Sequence, residues 1–118
     1  MHRLWRACIN SWNGLRAVWR SEEAFRQEVV VFVIAVPLAF LIATEMWKRL
    51  ALILVIVFIM VVELLNTAIE KLGDRVSLEH DPRMAFIKDL GSAAVGLSLI
   101  VAGAIWLLAL AERLGLIP

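Results

Sequence analysis

From Val29 to Trp47 the chain is apolar apart from Thr44 and Glu45, a stretch that as a helix reaches about 28 Å and so can cross a hydrocarbon core of about 30 Å. A second apolar run, residues 50–70, carries Glu63 and Asn66 near its far end. The third, residues 90–111, has no charge at all. Runs of this length predict transmembrane helices over 29–47, 50–70 and 90–111. Pro37 falls inside the first, where neighbouring helices can re-satisfy a freed carbonyl, so a kink rather than a break is expected. Lys48 and Arg49 are expected to form a very short turn, and residues 71–88, with Pro82 and most of the remaining charge, a polar connection with a helical extension at its start.

Residues 1–28 follow another pattern. On a helix at about 100° per residue, Leu4, Trp5, Cys8, Trp12, Leu15 and Trp19 share one stripe, and Arg3, Arg6, Asn10, Asn13 and Arg20 fall opposite. Tryptophans on one face and arginines on the other suit an amphipathic helix lying at the headgroup level that leads into the first span. The alternative is a helix facing the core of a soluble bundle, but the rest of the chain offers no such core. Ser21, followed by Glu22 and Glu23, reads as the N-cap of the next helix.

Composition agrees with a membrane solvent. In 118 residues, enough for one domain, 62% are hydrophobic and 19% charged, against about 45–50% apolar in a soluble domain. Mean hydropathy is +0.84. A net charge of +1 gives no bulk argument for nucleic acid, so the distribution of charge matters more than its sum. Five arginines precede Val29, two cations stand at Lys48–Arg49, four between Lys71 and Lys88, and one at Arg113. The excess of positive charge places the N-terminus and the 71–88 connection in the cytoplasm, and three spans leave the C-terminus outside. No cleaved signal peptide is apparent, and the single Cys8 excludes both an intrachain disulfide and a four-thiolate zinc site.

A carboxylate in a span costs about 2.5–3.5 kcal/mol on insertion scales, so Glu63 calls for a reason. Glu63, Asn66, Glu70 and Asp74 follow spacings of 3, 4 and 4, which puts them within about an 80° arc of one helix. Stacked carboxylates repel unless a cation or protons offset them, and Mg²⁺ is a natural guest for such oxygens. The plainer alternative makes Glu70 and Asp74 solvated residues and pairs Glu63 with a basic side chain of a neighbouring helix. The predicted topology brings Glu22, Glu23 and Glu28 to the same membrane face, with Lys88, a possible phosphate partner, and Asp89 opening the third span there. Neither G-x-x-x-x-G-K-[ST] nor G-x-G-x-x-G is present, and His2 and His80 leave no basis for H-E-x-x-H zinc chemistry. Gly91, Ser92, Gly96, Ser98, Ala102 and Gly103 form a small-residue surface suited to close helix packing.

The string Glu63-Leu-Leu-Asn66-Thr-Ala-Ile-Glu70, then Asp74-Arg75, then Lys88-Asp89-Leu-Gly91-Ser92-Ala93-Ala94-Val95, resembles the signature of the prokaryotic diacylglycerol kinases. Ala24-Phe25-Arg26-Gln27-Glu28 does so too. The likeness runs from Arg3 to the third span. It implies an all-α homotrimer of the bacterial inner membrane that uses MgATP to phosphorylate diacylglycerol to phosphatidic acid, with active sites shared between subunits. On this resemblance Glu63 is the general base, and Glu22 and Glu70 are ligands of the metal on ATP. Asn66 positions the reactants, and Arg3, Asn10, Glu79, His80, Asp81, Lys88 and Asp89 complete the nucleotide contacts. The lipid is expected near Arg3, Trp12, Arg26, Gln27, Glu28, Arg49, Glu63 and Ser92. Asn10 stands where the family often carries a tyrosine, and residues 82–87 differ from the usual pattern. Some relatives phosphorylate undecaprenol instead, whereas Phe25-Arg26-Gln27-Glu28 favours the glycerolipid. From other classes, a small multidrug-type proton-coupled transporter predicts an acid near midspan, and a structural membrane subunit predicts acids that pair with an absent partner.

Overall fold

A backbone in hydrocarbon can satisfy its N–H and C=O groups only within its own segment, so apolar runs of this length fold as helices. The computed structural model describes residues 2–76 and 81–118. Among these the chain forms α1 (His2–Ser21), α2 (Glu23–Ile42), α3 (Met46–Val76) and α4 (Pro82–Arg113). The last three are long and apolar enough to cross a membrane. Helix α3 lies between α2 and α4 and packs along both, while α1 touches α2 more lightly.

The helix breaks differ from expectation, and in each case a side chain reaching backwards explains why. Ser21 is the last residue of α1 and not the cap of α2; the break falls at Glu22, whose backbone is extended (φ −118, ψ 112) and whose side chain makes no capping bond. Arg26 Nη1 instead donates to the carbonyls of Trp19 (2.7 Å) and Arg20 (3.2 Å), satisfying acceptors that the end of α1 leaves open. Lys48 and Arg49 are likewise not the turn between the first two spans. The turn is at Ala43, Thr44 and Glu45, and both cations sit in the opening turns of α3. From there Arg49 Nε donates to Ala43 O (2.8 Å) and its guanidinium lies 4.6 Å from the centre of the Phe40 ring, closing the C-terminus of α2. Lys48 pairs with Glu112 of α4. Helix α2 continues through Pro37 to Ile42.

The stretch 71–88, expected to be a polar connection with a helical extension at its start, does open with that extension, since α3 runs to Val76, but it is helical again from Pro82, where α4 starts. Asp81 caps α4, its Oδ1 accepting from Arg83 N at 2.9 Å, with Pro82 in the first turn where a missing N–H costs nothing.

The interior is a seam of small and branched residues. Ala35 of α2, Val55, Ile56 and Ile59 of α3 and Ala102 of α4 form one buried cluster; Ala39, Ala43 and Leu52 form a second, and Ile105 and Trp106 pack against both. Trp106 Nε1 donates to Leu52 O at 3.1 Å, so the indole bonds across the pair as well as filling it. Helices α3 and α4 run antiparallel: Lys48 meets Glu112, Leu52 meets Trp106, Asn66 meets Gly91, and Gly73 meets Met84. The small-residue surface of α4 therefore divides. Gly91, Ser98 and Ala102 are buried, whereas Gly96 and Gly103 have nothing within 4 Å of where a Cβ would stand. Even in α3 only 39% of the most apolar stretch is buried within the chain, so most of its apolar surface faces outwards, as suits lipid or other membrane helices rather than water.

Candidate active site

The spacing of Glu63, Asn66, Glu70 and Asp74 puts them on one side of α3, and the fold links that side to its neighbours. Asn66 is buried and its Nδ2 donates to Glu70 Oε1 at 3.1 Å, one turn further on. Lys88 Nζ reaches from α4 to Asp74 Oδ1 at 2.5 Å. Glu22, at the break between α1 and α2, pairs with Lys71 of α3 at 3.3 Å. Glu63 is half-buried and lies within Coulombic range of Glu70, Glu22 and Glu28. One end of the bundle thus gathers carboxylates from α2, α3 and the α1–α2 break, with Lys71 and Lys88 as counter-charges. Asp74 stands beyond the apolar run, and the hydrogen-bonded Lys88 ammonium holds its carboxyl below the ordinary value.

Two polar atoms here are buried without a hydrogen-bond partner among the described residues: Glu28 Oε1 and Asn66 Oδ1. Buried oxygens are normally paired, so unpaired ones mark places where structure has yielded to something else.

The remaining expected site residues are distributed unevenly. Arg26 and Gln27 line a shallow cleft with Glu23 and Val30, although the guanidinium of Arg26 is engaged with the end of α1. Trp12 lines a hollow with Trp19, Phe25, Val29 and Met60, which Arg16 and Arg20 also border. Arg3 and Asn10 are exposed on α1, and Asp89 and Ser92 on α4, and none of these four has a side-chain hydrogen bond among the described residues. Arg49, expected with the lipid contacts, is not brought to this end: it precedes Glu63 by a helix rise of about 21 Å and closes α2 instead. Asp81 serves as the cap of α4. Glu79 and His80 lie outside the described residues. Lys71, which pairs with Glu22, and Gly91, which packs against Asn66, stand at the same end of the bundle. The sequence offered a signal for the first, since a cation beside Glu70 at a face rich in acids is a natural counter-charge.

A sequence profile of the prokaryotic diacylglycerol kinases matches residues 9–110. The chain belongs to the prokaryotic diacylglycerol kinase family. Diacylglycerol kinase of Escherichia coli (strain K12) is 41% identical over 113 residues, covering 96% of this chain and 93% of that protein. The diacylglycerol kinase of Pseudomonas aeruginosa is 42% identical over 106 residues, 90% and 86% of the two chains. That of Helicobacter pylori (strain ATCC 700392 / 26695) is 39% identical over 104 residues, 88% and 81%. The protein is therefore an enzyme of a kinase family, which sets aside the transporter and structural-subunit readings. Glu22, Glu28, Glu63, Asn66, Glu70, Lys71 and Lys88 all lie inside the segment matched to the diacylglycerol kinases, and Arg3 precedes it.

The family's chemistry raises the question of a divalent cation. Among the described residues no three His, Cys, Asp or Glu side chains converge into a cage. Magnesium in phosphotransferases is usually held by one or two carboxylates together with substrate phosphates and water, so a complete protein cage is not what its binding requires. Glu22 and Glu70, half-buried hard-oxygen donors at the same end of the bundle, fit that mode.

Proposed function

We propose that this protein transfers the terminal phosphoryl group of ATP to the hydroxyl of diacylglycerol, forming phosphatidic acid at the cytoplasmic face of the bacterial inner membrane. The observation that carries the reading is the arrangement along α3, where Glu63 stands within the apolar run and the hydrogen-bonded Asn66–Glu70 pair follows towards its polar end. Glu70 follows Glu63 by seven positions, about two turns or 10 Å. A lipid hydroxyl confined to the interface and a nucleotide confined to water can thus meet along one rigid helix.

In this mechanism Glu63 accepts the proton of the attacking hydroxyl. The lipid oxygen forms its bond to phosphorus as the bond to the ADP oxygen breaks, in line and without a phosphoenzyme. Glu22 and Glu70 would hold Mg²⁺ on the nucleotide, where it neutralises charge on the phosphates. Lys88 and Asp89 contact the nucleotide, Lys88 exchanging Asp74 for a phosphate oxygen. Helix α1 lies at the headgroup level with Leu4, Trp5 and Trp12, all exposed, towards the lipid. In the hollow that Arg16 and Arg20 border, Trp12, Trp19, Phe25, Val29 and Met60 offer an apolar wall to acyl chains. The outward apolar faces of the spans and the bare Cα atoms of Gly96 and Gly103 support association of three copies that enclose the site together.

The test is transfer of radiolabel from ATP to lipid by the purified protein in detergent micelles, with diacylglycerol and undecaprenol supplied separately. Label on diacylglycerol is expected. Label on undecaprenol alone reassigns the substrate, and label on neither rejects the kinase reading.

A further inference from the structure

At one point α3 and α4 come closer than an alanine would allow. Gly91 is buried, and a Cβ placed on it would collide with Asn66 Oδ1, with Asn66 Cγ only 3.3 Å away. Asn66 is 7% exposed. Its Oδ1 has no hydrogen-bond donor among the described residues, while its Nδ2 donates to Glu70. Glu70 Oε1 is the acceptor of that bond, so the amide turns its nitrogen to Glu70 and its oxygen to Gly91. The oxygen lies on the side of the Gly91 Cα where a side chain would stand, facing a Cα–H, a contact that recurs where helices pack closely.

The contrast with Gly73 shows what is specific here. A Cβ at Gly73 would meet Met84 Sδ at 2.8 Å and Lys88 Cε at 3.2 Å, the far ends of flexible side chains that can swing away. The group opposing Gly91 is a short, buried amide with a hydrogen bond to lose.

We infer that Gly91 is a positioning residue for the phosphoryl transfer: its bare Cα leaves the room in which Asn66 holds the Glu70 carboxylate in place. This rests on the proposed role of Glu70 towards the metal–nucleotide. A methyl at Gly91 forces Asn66 out of its rotamer and releases Glu70, with no direct contact between Gly91 and substrate. Losses of support behind a metal ligand commonly amount to about 10–100-fold in affinity or activity.

The experiment compares Gly91→Ala, Asn66→Ala and the double variant with the parent protein in micelles. Three quantities are read: kcat/KM for MgATP and for diacylglycerol, binding of Mn²⁺ with a non-hydrolysable ATP analogue by electron paramagnetic resonance, and thermal unfolding. Gly91→Ala is expected to weaken Mn²⁺-nucleotide binding and kcat/KM for MgATP together by about 10–100-fold, with KM for diacylglycerol unchanged. The double variant should be no worse than Asn66→Ala alone, because the oxygen that the methyl displaces has gone, and should unfold at a higher temperature than Gly91→Ala. Parental Mn²⁺-nucleotide binding in Gly91→Ala, or losses that multiply in the double variant, would overturn the inference. Should Gly91→Ala fail to fold, Asn66→Ala decides: weakened Mn²⁺-nucleotide binding supports the relay to Glu70, and unchanged binding overturns it. A parent protein that binds Mn²⁺-nucleotide but phosphorylates neither lipid would strike the proposed function, while the binding comparison still judges Gly91.

Discussion

Replacing Glu63 by Gln exchanges a carboxyl for an amide of nearly the same volume that cannot take up a proton, which makes it the sharpest perturbation of the proposed chemistry. Glu63 is within Coulombic range of Glu70, Glu22 and Glu28, while the Lys71 ammonium is engaged with Glu22 at 3.3 Å. Gln carries no charge among these carboxyls, so the fold is expected to be at least as stable as the parent. The Asn66–Glu70 bond does not involve Glu63 and should survive, and with it nucleotide binding. What is lost is the acceptor for the hydroxyl proton, a contribution of about 10²–10⁴ in rate. At about 1.36 kcal/mol per decade this amounts to roughly 2.7–5.4 kcal/mol of transition-state stabilisation. The assay is radiolabel transfer to diacylglycerol at saturating ATP, alongside thermal unfolding followed by circular dichroism and binding of a non-hydrolysable ATP analogue. Glu63→Gln with activity within threefold of the parent would remove Glu63 from the base role. Loss of activity matched by loss of nucleotide binding would move Glu63 into the nucleotide site.

Three other outcomes follow from the geometry. Trp106→Phe deletes the bond to Leu52 O and should cost about 1 kcal/mol in unfolding measurements, yet leave kcat unchanged because Leu52 is far along α3 from the acids; a fall in kcat with the fold intact would contradict this. Gly73→Ala should be tolerated, since the atoms it meets are flexible ends and alanine gains about 1 kcal/mol of helix propensity; a loss beyond about 2 kcal/mol would mean that Met84 and Lys88 cannot move. Lys88 holds Asp74 below its ordinary value, so the pair's modest stabilisation is fully present above the unfolded carboxylate value of about 3.9 and is lost as pH falls through the lowered folded value. The stability difference between the parent and Lys88→Met should therefore close on acidification below about pH 4, and a difference independent of pH would refute the pairing.

Helix length and hydrophobic pattern are local properties, which is why three long apolar helices and an N-terminal helix could be read from the chain before any coordinates. The same holds for the face shared by Glu63, Asn66, Glu70 and Asp74, because the helical period alone fixes it. The Asn66–Glu70 bond is a consequence of that period. The breaks were legible only to within a few residues. Ser21 has the chemistry of a cap, but Arg26 closes α1 from the next helix; Lys48 and Arg49 are polar enough for a turn, but Arg49 folds back over the end of α2. Such choices turn on side chains that reach across a break, and residue type at the break does not record them.

What the tertiary structure alone decided is which groups on different helices meet. Glu22 with Lys71, Asp74 with Lys88, and the oxygen of Asn66 against Gly91 all depend on the register between packed helices, a relation between distant segments that no local pattern encodes. In lipid that register is set by how closely surfaces can fit rather than by escape from water, so the absence of one side chain at Gly91 shapes the site as much as the acids themselves.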